Sequence, residues 1–307
     1  MPKTDTQPVK SKSPKATADS PSLEQPEQRS KDSDSKVTNQ ASKTIDIKKL
    51  LEAGAHFGHQ TSRWHPKMAP FIHSKRAGNH IIDLTKTVEA LAEALNFLTE
   101  TAAQGKQILL VSTKRQARVK VKEVAEALQM PYVTERWLGG MLTNQATIGG
   151  RIKYLKDLES RMASGELAAK YSKLEVQRFG EEIDEMNHYY GGIKDLSQKP
   201  GAMFVADVLT DINAVREAKK LGIPVVALVD TNVDPSLVDH PIPANDDATK
   251  TITLILDYIQ AAIQEGRAKV KKAEPLKDQT ETPLTSQSPE EAKPKEEVVS
   301  QSVKGIG

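Results

Sequence analysis

Hydrophobic positions in the middle of the chain alternate between two kinds of segment. Continuous apolar runs, such as QILLVST (107–113), GAMFVAD (201–207) and IPVVALVD (223–230), are typical of strands buried on both faces. The segments that follow them repeat apolar residues every three or four positions, as amphipathic helices do. The predicted helices include 88–103, 115–128, 211–222 and 247–265. Strands that alternate with helices predict right-handed crossovers and a parallel sheet covered on both faces.

A helical segment between the predicted helix 115–128 and the run GAMFVAD (201–207) breaks the alternation. Residues 144–163 and 173–193 both carry helical periodicity, and the apolar positions of the second step by 3, 4, 3, 4 and 3. Such narrow seams are typical of two helices that pack against each other. They favour an inserted antiparallel coiled-coil hairpin over two ordinary helices packed on the sheet.

The two ends of the chain differ from its middle. Both are rich in Lys, Ser, Pro, Gln and acidic residues and contain few apolar ones, so they cannot bury enough surface to offset the entropy of ordering. We therefore predict a disordered N-terminal tail (1–43) and a disordered C-terminal tail (269–307). Between them we predict an α/β RNA-binding body (44–142 and 194–268) and the coiled-coil hairpin (143–193).

Composition excludes several classes of protein. The chain has no cysteine, so it has no disulfide, thiolate nucleophile or cysteine-ligated zinc. No apolar run approaches the roughly 18 residues that a membrane span needs. The N-terminal residues lack the apolar core of a signal peptide, and their acidic side chains argue against a transit peptide. We therefore expect a cytoplasmic protein with no membrane association.

The net charge of +2 hides a strong asymmetry along the chain. Residues 63–122 contain eleven Lys or Arg against four Asp or Glu, whereas residues 200–265 contain four against ten. Residues 53–82 contain no carboxylate and five of the seven histidines. The basic half suits a polyanion. The acidic half is expected to face a protein partner or solvent, around Asp207, Asp211, Asp230 and Asp234.

A metal site is not favoured by this pattern. His56, His59 and His65 do not follow a known zinc spacing, and no carboxylate lies nearby in sequence to orient their rings. Asp207 and Asp230 end buried strands, where α/β folds place ligands, so a divalent ion there is conceivable. Capping of the turns that follow these strands is the favoured role.

A phosphate-binding enzyme is the alternative that stays open. The Ser112–Lys114 turn joins a buried strand to a helix, which is where an open α/β sheet can hold the phosphate of a sugar or nucleotide. No glycine-rich loop follows any strand, however. The cations clustered after this turn also exceed what one small phosphate uses, and they suit a polymer of phosphates.

Nucleic-acid binding is therefore the favoured function. The chain has neither an RNP-type aromatic motif nor a GXXG clamp, so we expect recognition of folded RNA by shape and backbone. The predicted phosphate contacts are Arg63, Lys67, Lys75, Arg76, Lys114, Arg115, Arg118, Lys120 and Lys122. Weaker candidates are Trp64, His65, His80 and Arg136.

Five separated motifs occur in one order along the chain. They are GAHFGHQTSRWHPKMAPFIHSKRAGNHIIDLTKT, ILLVSTKRQA, RWLGGMLTN, LGIPVVALVDTNVDP and IPANDDA. Together they resemble small-ribosomal-subunit protein two of bacteria and organelles, over about residues 45–265. The resemblance implies a flavodoxin-like parallel sheet flanked by helices, with an inserted coiled-coil hairpin.

The resemblance also implies a function. It implies a structural constituent of the small ribosomal subunit that contacts small-subunit ribosomal RNA and neighbouring ribosomal proteins. In many bacteria the family docks the large OB-repeat ribosomal protein. It implies no catalysis, cofactor, metal or small-molecule substrate. A free-standing RNA chaperone is a third alternative, which stoichiometry on the small subunit would distinguish.

Overall fold

The computed structural model describes residues 45–196 and 198–273. The predicted N-terminal tail lies outside these residues, as does the predicted C-terminal tail beyond residue 273. Within them, no helix is both long and apolar enough to cross a membrane. The helices are α1 (Ile47–Ala53), α2 (Leu84–Ala103), α3 (Arg118–Leu128), α4 (Gln145–Ala163), α5 (Glu166–Lys170), α6 (Lys173–Tyr190), α7 (Ile212–Lys220) and α8 (Thr249–Ala273).

The strands form two separate sheets. They are β1 (Phe57–Gln60), β2 (Ile72–Arg76), β3 (Asn79–Ile82), β4 (Ile108–Val111), β5 (Tyr132–Val133), β6 (Ala202–Val205), β7 (Val225–Val229) and β8 (His240–Pro243). The first three make an antiparallel sheet in the order β1-β3-β2, which lies within the histidine-rich segment of residues 53–82.

The larger sheet has five strands in the order β5-β4-β6-β7-β8, and every neighbouring pair is parallel. Counted from β4, this is the 2-1-3-4-5 order of flavodoxin-like folds. Every residue of β4, β6 and β7 is buried, because helices cover both faces of the sheet. The predicted fold class is confirmed.

Two apolar cores lie on opposite faces of this sheet. Alternate residues of each strand point to opposite faces, so on β4 Leu110 belongs to one core and Leu109 to the other. The first core packs the sheet against α2, α3 and α8, and the second packs it against α7 and the segment that leads into α4. The predicted helices that follow the strands therefore divide between the two faces.

Strand β8 was missed by the sequence analysis. It contains Pro241 and Pro243, which cannot donate a backbone hydrogen bond and so obscure a strand pattern. The strand pairs with β7 alone and forms an edge of the sheet, which is where prolines are tolerated. Helix α8 differs as well, since it continues to Ala273 and includes residues assigned to the C-terminal tail.

The inserted helical hairpin is present. Helices α4 and α6 contact each other, and Leu155, Leu158 and Met186 are buried. Helix α6 begins with a capping box in which the side chains of Ser172 and Glu175 bond to each other's backbone N–H groups. The connection between the long helices contains α5, which the sequence analysis treated as a linker.

Truncation of one buried side chain of the parallel sheet tests the packing between the sheet and its helices. Phe204 on β6 is fully buried, so Phe204→Ala should lower the free energy of unfolding by about 4 kcal/mol. Urea denaturation provides the measurement. Val119→Ala is the control, because Val119 is 74% exposed, and it should change stability by less than about 0.5 kcal/mol. Equal effects of the two variants would contradict the assigned packing.

Candidate nucleic-acid interface

The histidine-rich segment is attached to the end of β7 through one threonine. The hydroxyl oxygen of Thr231 accepts a hydrogen bond from the backbone N–H of His59 (2.9 Å), and its carbonyl oxygen accepts one from the N–H of His65 (2.7 Å). The approach requires Gly58, because a Cβ there would lie 2.6 Å from the Thr231 methyl carbon. The segment is therefore held rigidly against the parallel sheet.

Trp64 belongs to the same histidine-rich segment and lies between His80 and Lys75 in the structure. Its ring centroid is 5.2 Å from that of His80, and the Lys75 ammonium nitrogen is 5.8 Å from the tryptophan ring. His80 is fully buried, and neither of its ring nitrogens has a hydrogen-bond partner among the described residues. Burial, with a smaller effect of the Lys75 charge, lowers the pKa of His80. The imidazole is thus neutral and inaccessible, which does not support the predicted RNA contact at His80.

Five of the predicted contacts are exposed cations. None of them takes part in an ion pair within residues 45–196 and 198–273. Lys75 and Arg76 belong to the outer strand β2, and Arg63 is next to Trp64 in the sequence. Arg115 precedes α3 and Arg136 follows β5. These side chains can reach a phosphate without breaking an ion pair.

Four other predicted contacts already have acidic partners. The ion pairs join Lys67 to Asp234 (2.8 Å), Arg118 to Glu135 (2.9 Å), Lys120 to Asp257 (3.0 Å) and Lys122 to Glu126 (3.9 Å). His65 is engaged too, since its Nδ1 accepts a hydrogen bond from the backbone N–H of Lys67 (3.3 Å). Each of these groups would have to exchange its present partner for RNA.

Lys114 points into the protein. Its ammonium nitrogen is 2.7 Å from Asp247, 2.8 Å from Asp246 and 3.2 Å from Asp207, and its side chain is only 14% exposed. Burial alone would lower the pKa of Lys114, but hydrogen bonds to Asp246 and Asp247 raise it above its ordinary value. Lys114 is therefore an internal counterion between β4, β6 and β8, a position that does not support the predicted phosphate contact.

The turn after β4 holds a carboxylate instead of a phosphate. The backbone N–H of Thr113 donates to Asp211 Oδ2 (3.0 Å), and its hydroxyl donates to Asp211 Oδ1 (2.8 Å). Burial raises the pKa of Asp211, although these bonds from Thr113 oppose the shift. Because both donors of Thr113 are occupied by Asp211 and several carboxylates surround the turn, the sugar-phosphate or nucleotide enzyme is not favoured.

The acidic strand ends act mainly as caps. Asp207 accepts hydrogen bonds from the N–H groups of Leu209 (2.8 Å) and Thr210 (3.1 Å), and Asp230 accepts from the hydroxyl of Thr231 (3.1 Å). These bonds confirm the predicted capping role.

One group of side chains can nevertheless hold a metal ion. Donor atoms of His59, Asp230 and Asp246 all lie within 4.8 Å of one another. The hydrogen bond that His59 donates to Asp230 outweighs burial and raises the pKa of His59, while burial and the nearby carboxylates raise the pKa of Asp246 to about 7. The sequence analysis grouped His59 with His56 and His65, which are close to it in sequence. Its neighbours in the structure, Asp230 and Asp246, are about 170 or more residues away along the chain.

Comparison with known proteins identifies the family. The family model described as Ribosomal protein S2 matches residues 50–266. The small ribosomal subunit protein uS2 of Coprothermobacter proteolyticus is 51% identical over 223 residues, which cover 73% of this chain and 83% of the relative. Proteins with the same name from Roseiflexus sp. and Chloroflexus aggregans are 49% and 48% identical, covering 75% of this chain and 88% and 96% of their own lengths.

This chain belongs to the ribosomal protein S2 family. Membership agrees with the motif resemblance. In this S2 family member, the sequence analysis missed Thr231 and Asp246 as organising residues. Threonines and aspartates in a turn-rich segment such as DTNVDP carry no local signal of the distant groups that they bind.

Removal of the internal counterion should destabilise the protein. In Lys114→Met, Asp207, Asp246 and Asp247 would lose their shared partner, so the free energy of unfolding should fall by about 3 kcal/mol. Lys122→Met is the control, because its exposed pair with Glu126 should contribute less than about 1 kcal/mol. Chemical denaturation at neutral pH measures both, and a Lys114 effect no larger than the control would refute the assigned role.

The buried histidine should make stability depend on pH. The pKa of His80 in the folded state lies below the ordinary histidine value of 6.5, so the unfolded chain binds more protons below pH 6.5. Its contribution is therefore fully present above pH 6.5 and decreases as the pH falls toward the folded pKa. His80→Phe should make the slope of unfolding free energy against pH shallower in this range. The variant His73→Gln, at an exposed position, should retain the wild-type slope.

Proposed function

We propose that this ribosomal protein is a structural component of the small ribosomal subunit and binds ribosomal RNA through the exposed cations around Trp64. The observation that carries the proposal is the outer strand β2. It exposes Lys75 and Arg76 beside Trp64, within a segment of the chain that contains no carboxylate. A polyanion that approaches Lys75 and Arg76 meets no carboxylate contributed by residues 53–82.

The chemistry of the contact follows from these groups. The guanidinium groups of Arg63 and Arg76 can donate paired hydrogen bonds to phosphate oxygens, and Lys75 adds a compact positive charge. Binding would release counterions from the RNA and would therefore weaken as salt rises. Trp64 is half-buried and fixed against His80, so it can offer a rigid surface to a base or sugar.

A second set of cations lies near the start of α3. Arg115 is exposed in the turn before this helix, and Arg136 is exposed in the loop after β5. Arg118, at the start of α3, forms an ion pair with Glu135 in the loop after β5. A phosphate can bind Arg118 by taking the place of Glu135. This set is the proposed second RNA contact.

The remaining assignments belong to the same proposal. The body comprises 44–142 and 194–268, and the hairpin comprises 143–193. Neighbouring ribosomal proteins, including the large OB-repeat protein where it exists, would meet surfaces that the RNA leaves free. Asp207, Asp211 and Asp230 were expected to face such a partner or solvent, but they are buried, so that expectation is wrong for these three residues. No enzymatic role is proposed, since the turn after β4 is occupied by Asp211.

Neutralisation of the strand β2 cations should weaken assembly. The double variant Lys75→Gln/Arg76→Gln should co-sediment with small subunits less than the wild type, and the ratio of the two binding constants should shrink as salt rises. The slope of log binding constant against log salt should fall by roughly one per lost phosphate contact. Sucrose-gradient sedimentation with quantitative detection of the chain provides the measurement.

The matched control removes the same charge from another surface. Lys48 and Lys49 are exposed on α1, so Lys48→Gln/Lys49→Gln tests the effect of net charge alone. The proposal expects normal incorporation of this control. It fails if both double variants, shown to be folded by circular dichroism, sediment with subunits as the wild type does.

A further inference from the structure

The loop that leads into the hairpin is held by one carboxylate on the body. Glu217 lies within α7, and its Oε1 accepts hydrogen bonds from the Trp137 indole N–H (3.1 Å) and the backbone N–H of Gly140 (2.7 Å). Its Oε2 accepts from the backbone N–H of Leu142 (3.1 Å) and from the N–H (3.2 Å) and hydroxyl (3.1 Å) of Thr143. Five donors from one loop thus converge on a single side chain.

Glu217 is held in its charged form by these donors. Burial alone would raise the pKa of Glu217, but the hydrogen bonds from Trp137 and from the amides of the loop outweigh burial and lower it. Hydrogen bonds to an ionised acceptor are stronger than neutral ones. Consecutive backbone amides in a turn form a concave anion site, and here the protein itself supplies the anion.

The conformation of this loop determines how α4 begins. Gly140 has a φ of +90°, which favours glycine, and its carbonyl oxygen accepts a hydrogen bond from the N–H of Asn144 (2.7 Å). The Asn144 side chain then caps α4 by accepting from the N–H of Thr147 (3.3 Å). The bonds from Glu217 therefore lie directly upstream of the first turn of the hairpin.

The other contacts at the base of the hairpin include one longer polar contact, between His188 Nε2 and Glu135 Oε2 at 3.5 Å, and apolar packing. Ile148 and Ile193 pack into the second core, and apolar contact is not directional. Glu159 accepts from Asn187 (2.8 Å) and Lys194 (2.6 Å), which ties the hairpin's own segments together. The hydrogen bonds that the loop donates to Glu217 are directional. They are therefore the contacts best able to set the angle between the hairpin and the body.

We propose that Glu217 is a positioning residue that sets the orientation of the helical hairpin on the α/β body. The importance of this orientation rests on the proposed function. Arg151 and Lys153 on α4 are exposed and form no ion pair among the described residues, so the hairpin and the β2 surface can both contact RNA. A preset orientation lets both surfaces engage one folded RNA without an ordering penalty at binding.

Distance measurements on the free protein test the orientation directly. The chain has no cysteine, so Gln116→Cys on the body and Ser160→Cys on the hairpin would provide two unique sites for nitroxide labels. Pulsed electron paramagnetic resonance should give one narrow distance distribution in the otherwise wild-type chain. Glu217→Gln should broaden or shift it, because the amide NH₂ would face donors in place of an acceptor. Glu52→Gln, at an exposed position on α1, is the matched control.

Hydrogen exchange supplies a readout specific to the bonds themselves. In Glu217→Gln the amides of Gly140, Leu142 and Thr143 should lose protection, while amides of β4 and β6 keep theirs. Should the glutamine variant fail to fold, Glu217→Asp replaces it, since it keeps the charge but withdraws the carboxylate by one methylene. An unchanged distance distribution in a folded Glu217 variant would overturn the inference.

Assembly of the same variants separates the inference from the proposed function. A disturbed distribution with reduced co-sedimentation with small subunits would support both. A disturbed distribution with unchanged co-sedimentation would support the role of Glu217 in orientation and overturn the contribution of that orientation to RNA binding. The Lys75→Gln/Arg76→Gln variant tests the β2 contact independently of the hairpin.

Discussion

Burial of both faces of the parallel sheet is the constraint on which the other features of this protein depend. Strands β4, β6 and β7 have no exposed residue, so neither face can carry a charged side chain without a partner. Ionisable groups at this sheet therefore collect where the strands end. There Lys114, Asp207 and Asp246 approach one another between β4, β6 and β8, near the point where the strand order reverses.

This arrangement reverses the usual use of the fold. In open α/β sheets the carboxyl edge commonly holds a phosphate or nucleotide on backbone donors. In this chain Asp211 occupies the donors of Thr113, and the one nearby lysine is shared by three carboxylates. The charges are balanced within the protein, and the exposed cations Lys75 and Arg76 lie instead on the small antiparallel sheet.

The hairpin shows the same principle at a second location. Loops with several free backbone amides often bind an external anion. Here the anion is Glu217, and its bonds fasten the loop before α4 to the body. Internal carboxylates thus build the structure at both places, while the exposed cations remain available for a partner. This division explains how a chain with a formal net charge of only +2 can present a basic surface.

The sequence by itself determined the local features of the protein. Apolar runs predicted the strands of the parallel sheet, and helical periodicity predicted the two-helix insertion. Both patterns involve residues that are only a few positions apart in the sequence. The absence of carboxylates from residues 53–82 also marked the basic surface correctly as a region rich in Arg, Lys and His.

Only the tertiary structure decided which charged groups are free. It buried His80 against Trp64, paired Lys114 with Asp246, and left Lys75 and Arg76 exposed. The partners of Lys114 and His59 lie roughly a hundred residues or more away along the chain. Electrostatic pairing depends on separation in space rather than in sequence, so periodicity and composition cannot reveal it.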